Sequence, residues 1–391
     1  MSDKLKTDKR SGITAQADPN AKGGRMANLE LLRCIAMMMV VVLHFLGKGN
    51  LLPPLDGQSM STAGYAAWLL ESFCIVAVNV YMMISGYFLC TSHFKLSRLI
   101  GLWFQIAFYS IGFGLIGALT GILVETPFDI HYILTLVFPI SMGHYWFLTA
   151  YVFLYLLLPF IGRAVRQMSR SQLQWSIMLL FCVFCLLKSI LPMRLEMDSM
   201  GYDCLWYLCV FLAAAYIRRF GVPFLEKKGR GLLTYAVCCL AIFAGTMGLR
   251  GIYLKTGSFG LMLKMFLEYN HILPFLAAAG LFTAFAGCRV EGRLAAFITR
   301  ISPYTLGVYL LHENIGFRYS WPKWFGAADV DSVPGLLFCT LAAVVCVFCC
   351  GVLIDMVRSI LMKGLHSLLQ KLKIYRKMTE KIYSVDAIFR A

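Results

Sequence analysis

Ten apolar blocks, each about 20 residues long, follow one another along this chain with short polar joints between them. They lie near 29–46, 65–90, 99–124, 145–161, 174–191, 203–217, 231–249, 269–287, 304–320 and 334–357. An α-helix of that length crosses roughly 30 Å of hydrocarbon. Inside lipid the backbone must satisfy its own donors and acceptors, so only helices or a closed barrel can span, and blocks this long are not barrel strands. Composition agrees. The chain is 59% hydrophobic and 14% charged, against roughly 45–50% and 25% in soluble domains. The predicted fold is all-α, a polytopic membrane bundle of about ten transmembrane helices.

A net charge of +16 invites a nucleic-acid reading, but the placement of the charge removes it. Of 36 Lys and Arg residues, 27 fall on the two tails and on every second joint. Seven fall on the opposite set: Lys48, Arg194, Arg250, Lys255, Lys264, Arg318 and Lys323. Arg33 and Lys188 lie inside spans. The positive-inside rule then puts both termini in the cytoplasm, and the basicity is topological. Residues 1–27 read as a disordered basic tail with no cleavable signal, 28–358 as one membrane domain, and 359–391 as a basic amphipathic tail. In that tail Leu361, Leu365, Leu368, Leu369 and Leu372 alternate with Lys and Arg, suited to an anionic leaflet. Segment 125–144 is too polar to span and reads as a loop with a short helix at the outer face. The fourteen cysteines sit mostly inside spans as small hydrophobes. No metal is expected: Cys182-x-x-Cys185 lacks His or acidic neighbours.

Function is carried by polar residues where lipid disfavours them. Arg33 and His44 share the first span. Eleven residues at 100° each bring them within about 20° of the same helix face, some 16.5 Å apart along the axis. Glu30, three residues before Arg33, falls on that stripe and can pair with it. A cation near the cytosol and a titratable base near the outside thus share one face. Taken singly, Arg33 could be reaching for headgroups and His44 marking the interface. The second span holds Glu71, Asn79 and Ser85, and its cytoplasmic joint carries Lys95 and Arg98, which suit a phosphorylated ligand or, more simply, topology. His144 and Trp146 open the fourth span, as an aromatic belt or a sugar-binding mouth. His312 and Glu313 fall in the ninth span, placed near mid-membrane, where they must face protein or water.

Together these residues resemble the acyltransferase-3 family of bacterial integral-membrane acyltransferases, which O-acetylate surface polysaccharides, peptidoglycan and related acceptors. The resemblance rests on Asn28-x-Glu-Leu-Leu-Arg33 with the R-x10-H pattern, on Asn79–Leu89 with Tyr81 and Met82 where the family has two Phe, on His144-Tyr-Trp-Phe-Leu, and on Tyr304 to His312. It implies a ten-helix bundle in the bacterial plasma membrane. The bundle would take an acyl group, usually acetyl, from cytoplasmic acyl-CoA and deliver it to a hydroxyl of a glycan or lipid-linked saccharide outside. Carried over, Arg33 and His44 are the essential pair, with His44 the base, and Lys95, Arg98 and Arg33 face the donor. Lys95 stands where relatives often have arginine, which forfeits a planar fork. Acyl-CoA is then a co-substrate, with no tightly bound cofactor. Some relatives carry an extra esterase-like domain. This chain is expected to acylate its acceptor directly, or to hand the group to a separate extracytoplasmic partner protein, and a homo-oligomer is a further expected partner. The competing reading is a transporter or flippase that uses the same intramembrane Arg, His and Glu residues as a path. A membrane sensor is a further alternative.

Overall fold

The computed structural model describes residues 25–121, 129–190 and 199–390. The N-terminal tail before residue 25, the start of segment 125–144 and the loop bearing Arg194 lie outside them. Among the described residues there is no strand. Within the described residues nine helical segments are long and apolar enough to cross a membrane: Ala27–Lys48, Thr62–Leu89, Leu96–Gly117, Trp146–Gln167, Arg170–Ile190, Arg230–Thr256, Gly260–Ala286, Gly292–His312 and Val333–Leu369. Cys204–Phe220, at 17 residues, is about 25 Å long and completes ten as the sixth span. The chain is a multi-pass membrane protein of all-α fold.

The spans alternate in direction, and the first sits at the centre, packed against the second, eighth, ninth and tenth. Its Leu29, Leu32, Ala36, Val41 and Phe45 are fully enclosed. Outward faces stay apolar, with Trp103, Leu119, Phe160 and Leu233 exposed, as lipid contact requires. Small residues set the tightest seams. A Cβ on Gly231 would stand 2.6 Å from the Gly280 carbonyl oxygen, so the seventh and eighth helices touch backbone to backbone, the close approach that membrane interfaces favour. Gly86, in the Ile-Ser-Gly-Tyr-Phe stretch of the second span, does the same against Phe211 of the sixth, 2.9 Å from its Cα.

Two irregularities shape the interior. The second span breaks at Ile75 and Val76, between Thr62–Cys74 and Ala77–Leu89, so Glu71 lies in the last turn of one segment and Asn79 in the first turn of the next. The eighth span is helical only over Ile272–Ala286. The stretch before it dips inward through two 3-10 turns, Gly260–Met262 and Met265–Leu267. Backbone of this kind is tolerated at membrane depth only where protein or a cavity surrounds it. Here protein supplies the partners. Lys188 pairs with Glu268 at 2.6 Å and donates to Asn270 at 2.7 Å. Asn79 donates to the Tyr269 carbonyl at 2.8 Å and accepts from the Trp206 indole at 2.8 Å. Lys188 is therefore a buried clamp.

One sequence expectation is corrected. The ninth span does not begin at Tyr304. It starts as the helix Gly292–Ile301, passes a 3-10 turn at Ser302–Tyr304 and ends with Thr305–His312. His312 and Glu313 therefore stand at the outer end of the span and not at mid-membrane. The physical reason is the Pro303 turn together with Asn314. The Asn314 amide donates to the Tyr109 carbonyl at 3.0 Å and its oxygen accepts from Gly316 N, which turns the chain away after His312. The C-terminal tail is helical. The tenth helix runs on to Leu369, and a further helix, Lys373–Ile388, folds back onto the start of the third span. Buried Asp386 accepts from Ser97 N at 3.2 Å and Ser97 Oγ at 2.5 Å. The described part of segment 125–144 holds the expected short helix, Ile130–Val137, capped by Asp129.

Candidate active site

The stripe on the first helix faces a cavity. Arg33, Met37, Val40 and His44, spaced by four, three and four residues, all line one space of about 530 Å³. This is within the roughly 300–1,000 Å³ typical of small-molecule sites. Arg25, Arg33 and Arg98 stand at its cytoplasmic end, with Gln105 and Ser302 beside them. Tyr81, Ser85, Tyr151 and Thr305 line its middle, and His44, Glu71, Trp146, Tyr202, Tyr269 and Tyr309 its outer part.

At the cytoplasmic end Arg33 pairs with Glu30 at 2.5 Å. Glu30 is buried while the arginine side chain keeps about a quarter of its surface open. Glu30 therefore fixes one edge of the guanidinium and leaves other donors free for a ligand. The Tyr81 hydroxyl donates to the Arg33 carbonyl at 2.8 Å, tying the second span to the first at this level. Arg98 lies over the Tyr155 ring, 5.6 Å from its centroid. Lys95 is separate: its backbone N–H donates to the Tyr155 hydroxyl, and its side chain does not reach the cavity wall.

At the outer end four residues from two segments converge. His44 and Lys48 are one turn apart on the first helix, and His312 and Glu313 end the ninth. His312 Nδ1 lies 2.6 Å from the Val308 carbonyl oxygen, which can only accept. Nδ1 must therefore carry the hydrogen, and Nε2 of the neutral ring is an acceptor. His44 Nδ1 is 2.9 Å from that Nε2 and 3.0 Å from Glu313 Oε1. Both neighbours accept, so His44 Nδ1 donates. The lone pair of the neutral His44 imidazole is thus left on Nε2. Lys48 completes the cluster with a close ion pair to Glu313 Oε1. The ligand atoms of His44, His312 and Glu313 lie within 4.8 Å of one another, a spacing that could hold a metal ion. The Lys48 ammonium already occupies the same carboxylate oxygen, however, and a metal cation would have to displace it. The cluster fixes the His44 ring with Nδ1 held as a donor.

Of the residues singled out from sequence, Arg33, His44, Glu71, Ser85, Arg98 and Trp146 line the cavity. Glu30, His312 and Glu313 hold residues that do. Asn79 is spent on the inward-dipping segment, and Lys95 faces away. His144 is buried behind the outer end, its ring 4.1 Å from that of Tyr145. Burial, with the Arg318 guanidinium adding to it, pushes the His144 imidazole down to about 3, so it stays neutral at physiological pH. Lys48, Tyr81, Tyr202 and Tyr269 were not singled out. Lys48 carried a signal, since it follows His44 by four residues on the same face. Tyr202 and Tyr269 sit in irregular segments, where no periodicity points inward.

No curated protein and no solved structure matches this chain. A family model described as an acyltransferase domain matches residues 26–355. That range takes in every cavity residue but Arg25. The chain therefore belongs to the acyltransferase-3 family and is a multi-pass membrane O-acyltransferase.

Proposed function

We propose that this acyltransferase takes an acetyl or similar short acyl group from acyl-CoA on the cytoplasmic side and transfers it to a hydroxyl of a cell-surface glycan or glycolipid, working in the plasma membrane of a bacterium. The observation that carries the reading is a single cavity with arginines at one end and an oriented imidazole at the other, about 16.5 Å apart along one helix. Nucleotide phosphates would stay with Arg33, Arg98 and Arg25, whose guanidinium groups bind phosphate through paired N–H donors. The pantetheine arm would extend along Tyr81, Ser85 and Tyr151 toward His44. The acceptor hydroxyl gives its proton to His44 Nε2 as its oxygen attacks the thioester carbonyl. The carbon–sulfur bond breaks, and the imidazolium returns that proton to the departing CoA thiolate. Glu313 and His312 keep the Nδ1–H engaged throughout, so the charge on His44 forms beside a carboxylate.

The test is release of CoA thiol from acetyl-CoA by the purified protein, slowly with water as acceptor and faster with surface glycan added, read with mass spectrometry of the acylated glycan. No thiol release under either condition would favour a transporter or flippase. Arg98→Ala is expected to raise KM for acetyl-CoA by about tenfold with a smaller change in kcat, the pattern of a contact made before the chemical step. Lys95→Ala should change KM little, because its side chain lies off the cavity. Equal effects would mean that the joint acts through topology alone. Arg33→Lys keeps the charge but loses the planar fork, and a loss of kcat/KM of about tenfold or more is expected. Wild-type kinetics in that variant would reduce Arg33 to a headgroup contact.

A further inference from the structure

Glu71 stands apart from every network described so far. It lines the outer part of the cavity, and its Oε2 is buried without a hydrogen-bond partner. Lys264 lies near enough to act on it electrostatically but makes no ion pair with it. A buried carboxyl oxygen without a partner is costly and calls for a ligand that supplies one. What faces it is apolar and flat. Trp146 and Tyr269 lie nearly parallel, 19° between ring planes and 5.8 Å between centroids. Tyr202 packs against both, 4.5 Å from Trp146 and 4.7 Å from Tyr269.

We infer that Glu71, Trp146, Tyr202 and Tyr269 form the acceptor subsite, and that it takes a neutral pyranose: the sugar's C–H face lies on the aromatic wall while two neighbouring hydroxyls hydrogen-bond to Glu71. This rests on the proposed glycan acceptor and names how the glycan is held. The three rings discriminate between ligands. At 4.5–5.8 Å between centroids they touch one another and leave no space between them for a cation, so they make a wall and not a cage around an ammonium group. Aromatic side chains lining a cavity suit a flat apolar surface with polar edges, which is what a pyranose offers. The Glu71 carboxyl beside it has two oxygens with which to engage two hydroxyls at once. Placement also fits, because Tyr269 is fixed by Asn79 and by a bond from its own N–H to the Met200 carbonyl at 3.2 Å. A ring held here lies in the same cavity as His44, which brings one further hydroxyl toward the base.

Saturation-transfer difference NMR on the full chain in lipid nanodiscs tests this. Nanodiscs avoid the sugar headgroups of maltoside detergents. The probes are the methyl glycosides of glucose, galactose and mannose, without acyl-CoA. At least one should show saturation of its ring protons, and its affinity should fall about tenfold in Glu71→Ala, which removes both carboxyl oxygens. Tyr202→Leu, on the loop before the sixth span, should weaken it independently and guards against a folding defect at Glu71. Tetrahydropyran-2-methanol, a ring without neighbouring hydroxyls, should bind far less. The subsite is overturned if no glycoside binds, if both variants bind as wild type, if the hydroxyl-poor ring binds equally, or if tetramethylammonium displaces the sugar. No donor is present, so the two readings fail separately. Sugar binding without thiol release would sink the transfer mechanism alone. Thiol release without sugar binding would sink the subsite alone.

Discussion

Replacing His44 by alanine should lower acyl transfer by about 10²- to 10⁴-fold, the usual contribution of a positioned general base, while leaving the protein inserted and folded. The geometry separates these outcomes. His44 contributes a ring contact to His312, with centroids 5.1 Å apart, and one donated hydrogen, but no enclosed packing: its side chain is about a quarter exposed. Removing it makes the first span more apolar, which favours insertion. Glu313 keeps Lys48 as its partner, so no buried charge is left alone. The melting temperature should therefore stay close to that of the wild type while the acylated glycan disappears from the mass spectrum. Free imidazole should return part of the activity, because truncation opens space at the cavity wall where the ring stood. Wild-type product from His44→Ala would remove His44 from the chemistry. Lost product with a collapsed melting curve would make it a structural residue.

How much of this could be read from sequence follows from which interactions are local. The Arg33–His44 stripe needed only helical periodicity, and Glu30 needed only its i−3 position, so both were legible. The spans were legible because the length and hydropathy of an apolar block are local properties. The partnership of His44 with His312 was not, since 268 residues separate them. Sequence marked both as polar residues in apolar surroundings without joining them. The depth of His312 was misjudged for a local reason: the apolar run after Tyr304 continues past the residue where Asn314 turns the backbone aside. Tyr269 is the hardest case. It projects from backbone held by Asn79, Lys188 and Asn270, and that clamp is assembled from three separate spans. The tail helix Lys373–Ile388 was legible as basic and amphipathic, but its dock on Ser97 through Asp386 rests on two hydrogen bonds between residues 289 positions apart.

Glu313→Gln should cost both stability and activity, and the two losses can be separated. Glu313 accepts from His44 Nδ1 and pairs with Lys48, and both partners are at least three-quarters buried. Gln keeps an oxygen for one donor but removes the only negative charge in the cluster. Lys48 then remains a largely buried cation without a counter-charge, a change that typically costs about 3–5 kcal/mol. A lower melting temperature should follow. Catalysis should fall as well, by on the order of 10²–10⁴, because the imidazolium formed during transfer no longer has a carboxylate beside it. The loss of an orienting carboxylate from a histidine base is of this size. The double variant Lys48→Met with Glu313→Leu separates the effects. Replacing a buried ion pair by apolar side chains of similar volume is often neutral or stabilising, so its melting temperature should recover. Its transfer activity should stay low, since His44 would retain only His312 as a partner for Nδ1. Recovery of stability and activity together would show that Glu313 merely balances Lys48. If stability recovers and activity does not, Glu313 acts on the base itself.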